Sequence, residues 1–279
     1  MLNEWLTQYE INSARDEMNA RREIFQEITL AGLSRGKFFE KASFYGGTAL
    51  RIFYGLDRFS EDLDFTLNSI DANFTLENYI PFINEEFQLL DLKVELEYYS
   101  KKSHGQIESA FLKSDTILAN LSILNRTGFV KALKIKIEVD TIPPLKFETE
   151  SKLLFRPYSF YINVLKREFL FAGKLHALLF RNWKSRVKGR DWYDFEWYMR
   201  NQIPVSISHF YERAFQNGNI DEIQLTPELV KEMIIKKIDA VNLDDAKSDI
   251  ERFISSPDKL NIWSKQYFKD LVSHLKFTH

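Results

Sequence analysis

Two carboxylates, Asp62 and Asp64, stand two residues apart in the run Asp62-Leu63-Asp64-Phe65. The run reads as a strand, and side chains at i and i+2 of a strand share a face. Asp62 and Asp64 therefore project together, while Leu63 and Phe65 point into a core. Like charges held that close repel unless a cation lies between them. Hard oxygen ligands suit Mg2+ (or Mn2+), and magnesium takes one or two protein carboxylates and fills its shell with water and substrate phosphates. Gly46-Gly47-Thr48 lies fifteen residues before Asp62, counted from Gly47. It predicts a glycine turn opening a helix, where backbone N–H groups favour a phosphate. The combination reads as a site for a nucleoside triphosphate (NTP) and its metal.

The elements that must position these groups follow from periodicity and turn residues. A helix is predicted over 13–31, with Ser13 as cap and Gly32 as its stop. A short helix starts near Thr48 and ends at Gly55, and the strand Asp62–Leu67 follows. Residues 75–90 read as a helix that Pro81 begins. From Leu92 to Asp140 alternation predicts strands, including Ile117–Ile123 and Val130–Asp140, with turns at Gly105 and Asn125–Gly128. Pro143-Pro144 ends this β-rich half, and a connecting stretch runs to about residue 165. Helices are then expected over 168–182, 190–200, 205–215, 226–238, 242–254 and 257–275. Strands first and helices later predict an α+β fold: a catalytic domain over 1–160 and an all-helical domain over 161–279.

Composition narrows the function classes. The 279 residues are 44% hydrophobic and 28% charged, as in a soluble globular protein. The 24 phenylalanines are read as core. A formal net charge of −2 carries no global signal for nucleic acid. The absence of cysteine excludes disulfides, a thiol nucleophile and cysteine-ligated zinc. The N-terminus lacks the basic start and apolar run of a secretory signal. No apolar run approaches the ~20 residues of a membrane span. A soluble, cytoplasmic protein with no membrane partner is expected. The five histidines have no metal-site spacing, and serine-hydrolase, Walker-A and dinucleotide signatures are not evident.

A second block runs from Phe171-Ala172-Gly173-Lys174 through Arg181 to Gly189-Arg190-Asp191-Trp192-Tyr193-Asp194. Lys174 and Arg181 would share one helix face, and Asp191 and Asp194 a face of the next helix. Eight Lys or Arg stand against the single acid Glu168 between Lys166 and Arg190, which is either a solvated face or a surface for an RNA backbone. Lys174 falls in an otherwise apolar stretch, where an ammonium needs an anionic partner; a triphosphate would serve. Thr48 would donate to a phosphate or cap its helix, and Ser60 would contact nucleotide or cap a turn. Arg51 and Arg58 would bind phosphate or pair with Glu61 or Asp57. His176 reads as a helix residue rather than a catalytic base.

Gly-Gly-Thr, a short helix and Asp-Leu-Asp-Phe resemble the core motif of the nucleotidyltransferase superfamily related to DNA polymerase β. The longer string GGTALRIFYGLDRFSEDLDF resembles the AbiEii/AbiGii-type nucleotidyltransferase toxins of prokaryotic toxin–antitoxin and abortive-infection systems. The resemblance implies a polymerase β-like mixed sheet with flanking helices, and a third carboxylate on a strand beside Asp62–Phe65. In Lys134-Ile135-Lys136-Ile137-Glu138-Val139-Asp140, alternation puts Glu138 and Asp140 on one face. Lys-Ile-Glu-Val resembles the family strand, which favours Glu138 as catalytic acid and metal ligand with Asp62 and Asp64. The family's distal motif implies Lys174 as phosphate clamp and Asp191 as supporting acid, with Asp194 secondary. Gly46, Gly47, Thr48, Arg58, Ser60, Lys174 and Arg181 make up the expected nucleotide-binding set. The family further implies transfer of a nucleoside monophosphate to an RNA, foremost a tRNA 3′ end, or to a protein acceptor, and a cognate antitoxin. The Gly-Gly-Thr turn departs from the commoner Gly-Ser. Two other readings use the same residues: γ-phosphoryl transfer by a kinase-like toxin, and a non-catalytic nucleotide-binding module.

Overall fold

The computed structural model describes residues 2–71, 73–99, 116–124, 133–144, 146–181, 187–220 and 225–279. The expected turns at Gly105 and Asn125–Gly128 lie outside the described residues. Two compact units emerge: Met1–Tyr54, Phe59–Pro143 and Thr149–Val164 form the first, and Gly55–Arg58, Pro144–Glu148 and Leu165–His279 the second.

In the first unit, α1 (Leu2–Leu6) and α2 (Ala14–Arg35) precede β1 (Ala42–Tyr45), α3 (Gly46–Tyr54) and β2 (Asp62–Leu67). Then come α4 (Ile80–Gln88), β3 (Lys93–Tyr99), β4 (Thr116–Leu124), β5 (Leu133–Asp140), β6 (Thr149–Leu154) and β7 (Phe160–Leu165). One mixed sheet has the order β3-β4-β5-β2-β1-β7-β6. β2 runs antiparallel to β1 and parallel to β5, so it is a central strand and its apolar residues are enclosed. Leu63, Phe65 and Leu67 of β2 and Ile135, Ile137 and Val139 of β5 are wholly buried on one side of the sheet. Phe38, Phe44 and Phe65 make edge-on and tilted ring contacts in that core, with Phe38 and Phe65 centroids 4.8 Å apart. Phenylalanine thus supplies a large part of this core, although Phe155 and Phe215 are exposed.

Ser13 caps α2 as expected, its hydroxyl accepting from the Asp16 N–H at 3.2 Å. Gly32 does not stop that helix, which continues to Arg35. A Cβ on Gly32 would lie 2.6 Å from the Ile83 Cα, so this glycine lets α2 and α4 approach backbone to backbone. The stretch expected to be a mere connection after Pro144 contains β6 and β7, the last two strands of the sheet. Strand pairing overrides its weak local signal.

The second unit is mostly helical: α5 (Arg167–Phe180), α6 (Gly189–Arg200), α7 (Ile207–Gln216), α8 (Pro227–Ala240), α9 (Leu243–Ile250) and α10 (Lys265–Ser273). A short parallel pair, β8 (Val205–Ser206) and β9 (Phe277–Thr278), ties the segment after α6 to the C-terminal residues. The single helix expected over 257–275 is instead a 3-10 turn at Pro257–Ile262 followed by α10. Ser264 is extended and its hydroxyl accepts from the Tyr267 N–H, so it caps a new helix instead of continuing the old one.

Candidate functional site

The strand register brings the first group of expected residues together. β2 and β5 pair in parallel with Asp62 opposite Lys136, Asp64 opposite Glu138 and Thr66 opposite Asp140. Residues directly opposite across neighbouring strands share a face of the sheet, so Glu138 is the side-chain neighbour of Asp64. Asp140 lies one step further along, level with the buried Thr66. All three of Asp62, Asp64 and Glu138 are partly exposed, opposite the buried Ile137 and Phe65 face.

The glycine turn is built against this face. Gly46 adopts φ +84°, a conformation that L side chains disfavour, and a Cβ there would lie 2.2 Å from Asp64 Oδ2. The missing side chain is what allows the Asp64 carboxylate to rest on the first turn of α3. Thr48 uses its hydroxyl inside the protein. It is wholly buried and its hydroxyl donates to the Asp62 carbonyl, tying α3 to the start of β2. The Ser60 carbonyl accepts from Gln26 Nε2 at 3.2 Å, which fixes the segment leading into β2. Arg51 pairs with Glu23 at 2.7 Å and covers the Phe59 ring, and Glu61 meets Arg22 at 3.8 Å.

Among the described residues no three His, Asp or Glu side chains form a closed metal-binding cluster. On β5, Lys136, two residues before Glu138 and on the same face, pairs with the Glu138 carboxylate. The donor set nonetheless fits a hard cation, because Asp62 and Asp64 offer carboxylate oxygens from one strand face and magnesium needs only one or two of them.

In the second unit the distal block separates into two groups. Asp194 is wholly buried and accepts from Arg58 Nε at 2.6 Å and Arg58 Nη2 at 2.7 Å. It also meets Lys174 Nζ at 2.7 Å. Burial by itself would raise this carboxyl, but the charges and hydrogen bonds of Arg58 and Lys174 hold it down at about 2. Arg58, 2% exposed, is therefore an internal cation of this unit, and it pairs with Asp194. Asp57 accepts from Tyr193 at 2.7 Å and pairs with Lys259, so the segment Gly55–Arg58 is fastened to α6 through successive residues of both. Lys174 finds the anionic partner its apolar surroundings require, and the Arg58–Asp194–Lys174 trio keeps one net positive charge.

Asp191 and Arg181 belong to the other group. They stand 3.9 Å apart and line a cavity of about 310 Å³, which Lys188 and Lys237 also line. Lys174 does not line it. Sequence reasoning missed Lys237, which lies in an ordinary helix, Pro227–Ala240, well beyond the end of the motif at Asp194. His176 is a structural residue: its Nε2 is 2.8 Å from Asn219 Oδ1, and burial followed by the Arg213 charge pushes its pKa down to about 4.

Comparison with known proteins agrees with this architecture. The structure resembles JHP933 from Helicobacter pylori, with 17% identity, 92% of this chain and 89% of that chain covered, and a TM-score of 0.52. It also resembles MenT4, a nucleotidyltransferase toxin from Mycobacterium tuberculosis H37Rv, with 14% identity, 96% and 87% coverage, and a TM-score of 0.58. At such identities the likeness shows the fold. No curated protein matches the chain in sequence. The family model described as nucleotidyl transferase AbiEii toxin, type IV TA system, matches residues 28–271. With most of its length matched, the chain belongs to the AbiEii family of nucleotidyltransferase toxins of type IV toxin–antitoxin systems.

Proposed function

We propose that this protein transfers a nucleoside monophosphate from an NTP to an RNA acceptor, with a tRNA 3′ end as the first candidate, and that its activity is restrained by a cognate antitoxin. The observation that carries the chemistry is the register of Asp64 with Glu138 beside Asp62, with the carboxylate of Asp64 seated against Gly46. Asp62 and Asp64 would hold a magnesium ion, and Glu138 would join them by exchanging Lys136 for the metal. When bound, the metal supplies Lewis-acid polarisation of the phosphate oxygens and offsets charge on the departing pyrophosphate.

The chain's own residues do the rest by position and charge. Gly46 and Gly47 let phosphate approach the first turn of α3. Thr48 fixes that turn to the strand carrying the aspartates through its bond to the Asp62 carbonyl. Glu138 would accept the proton of the attacking hydroxyl, directly or through water. Lys174, with one of its donors on Asp194, would offset charge on the triphosphate. Arg58 would act indirectly, by keeping Asp194 ionised under Lys174. Catalysis of this kind is chiefly orientation and electrostatic stabilisation.

The test is incubation with total tRNA, magnesium and each α-³²P-labelled NTP, beside Asp62→Asn/Asp64→Asn. Label entering RNA with the intact carboxylates alone is the expected result. Release of α-³²P-labelled nucleoside diphosphate, with label passing to RNA or protein in a parallel reaction with γ-³²P-labelled NTP, would overturn it in favour of phosphoryl transfer.

A further inference from the structure

A separate cavity of about 340 Å³ lies wholly within the first unit. Its volume is within the range of small-ligand sites, roughly 300–1,000 Å³. The rings of Phe39 and Tyr161 line it, together with the Asn163 carboxamide and the hydroxyls of Ser34, Ser151 and Tyr161. Those hydroxyls make no hydrogen bond to protein among the described residues. Lys37 and Glu40 stand exposed at the rim, 3.9 Å apart, too far for a hydrogen bond, and their charges cancel. A neutral lining of rings, hydroxyls and an amide suits a planar ring with polar edges. The Tyr161 side of the β6–β7 hairpin is open: Tyr161 is 65% exposed, and Leu153 and Phe155 are exposed too. Exposed apolar surface of this kind marks interaction sites.

The strand residues of the cavity share a sheet face with the carboxylates. Tyr45 pairs with Asp64 and Ser43 with Thr66, while Phe44 pairs with Val164. Side chains alternate along each strand, so Ser43, Tyr161 and Asn163 fall on the Asp64 face, opposite Phe44. Asn163 Nδ2 donates to Ser43 Oγ at 2.9 Å, and Ser43 donates to Asn68 Oδ1 at 2.5 Å. This chain orients the Asn163 carboxamide and leaves its oxygen and second N–H for a ligand. Two strand spacings and two residues of rise put Asn163 on the order of 12 Å from Asp64, which a few nucleotides of single strand cover.

We propose that this cavity receives an unstacked base of the single-stranded RNA whose terminal hydroxyl is the acceptor. Tyr161 stacks on the base, Asn163 and the serine hydroxyls bond its edge, and Lys37 meets the adjoining phosphate. Single-stranded RNA is held in this manner, by aromatic stacking and hydrogen bonds to base edges. A carboxamide and hydroxyls gathered with two rings match a base edge better than they match the apolar side chains of a protein partner. Naming the RNA as acceptor rests on the transferase reading; the binding of a base does not.

Fluorescence anisotropy of the full chain in EDTA reads binding without chemistry. The probes are fluorescein-labelled oligouridylate, oligoadenylate and a ribose-phosphate oligomer of equal length that lacks bases. The base-bearing oligomers are expected to bind about tenfold tighter than the abasic one. Tyr161→Ala should weaken them about tenfold and leave the abasic affinity unchanged, while Tyr161→Phe should bind like the parent. The ring is exposed, so neither change threatens the core. Lys37 has φ +62°, a conformation asparagine tolerates; Lys37→Asn should weaken all three oligomers alike and reduce their salt dependence. The inference is overturned if the abasic oligomer binds as well as the others, or if Tyr161→Ala matches the parent. Uridine or adenosine displacing the oligomers at equal concentration would assign the cavity to a free nucleoside and overturn it too. So would light scattering that finds the parent dimeric and Tyr161→Ala monomeric, which would give the exposed ring to a second copy of the chain. Base-dependent binding that follows Tyr161 while no label reaches RNA would remove the transferase reading and leave the base site standing. Label reaching RNA while Tyr161→Ala binds like the parent would do the reverse.

Discussion

Replacing Asp194 by asparagine tests whether the second unit is organised around one buried negative charge. The substitution keeps the shape of the side chain but leaves Arg58, 2% exposed, and Lys174 facing each other. Removing one partner of a buried pair costs about 3–5 kcal/mol. Burial would raise this carboxyl, and the charges of Arg58 and Lys174 hold it instead below its ordinary 3.8, at about 2, so folding favours the ionised form. Since the folded-state pKa is the depressed one, this contribution is complete above pH 3.8 and is lost as pH falls through about 2. Urea unfolding followed by tryptophan fluorescence reports on the right region, because Trp192, Trp197 and Trp263 all lie in the second unit. At pH 7 Asp194→Asn is expected to unfold with a loss of about 3–5 kcal/mol, and the gap to the parent should narrow below pH 4. Arg58→Met combined with Asp194→Leu replaces most of the buried charge by apolar volume and should recover at least half of that loss. A deficit under about 1 kcal/mol at pH 7, or one that stays constant down to pH 2.5, would refute the reasoning.

Three further outcomes follow from the same geometry. Gly46→Ala places a methyl 2.2 Å from Asp64 Oδ2 at φ +84°, so nucleotidyl transfer should drop by roughly two orders of magnitude while thermal unfolding shows a loss of only about 1–2 kcal/mol. Glu138→Gln should lower transfer by about a hundredfold; Asp140→Asn, level with buried Thr66, should lower it by less than about tenfold, and equal effects in a single-turnover assay would contradict the register argument. Gly32→Ala forces α2 away from Ile83 and should destabilise the first unit by about 1–3 kcal/mol in urea unfolding followed by far-ultraviolet circular dichroism, with transfer unchanged under conditions where the protein stays folded.

Local pattern was enough for the parts of this protein that obey a short period. Alternation in Lys134–Asp140 and Asp62–Leu67 set which residues face the core, since a one-residue slip would bury charge. Ser13, Gly55 and Pro81 marked element ends because each has a local backbone reason to do so. Gly32 was misread, because a glycine that ends a helix and one that admits a neighbouring backbone look alike without that neighbour. β6 and β7 were missed because their stability comes from joining a sheet assembled from distant strands. Lys174 was legible as a cation needing an anion; that the anion is Asp194, shared with Arg58, was not.

The sequence by itself therefore determined the chemistry on offer: paired carboxylates on a strand, a glycine turn before them, and a basic helical block after. Only the tertiary structure decided the partnerships. It set Glu138 rather than Asp140 beside Asp64, placed Arg58 on Asp194, and gathered Lys237 with Arg181 and Asp191 around one cavity. The physical reason is range. Periodicity and capping act over a few residues and can be read in order. Strand register and buried charge pairing are settled by global packing, where each ion must find its counter-ion wherever the chain returns.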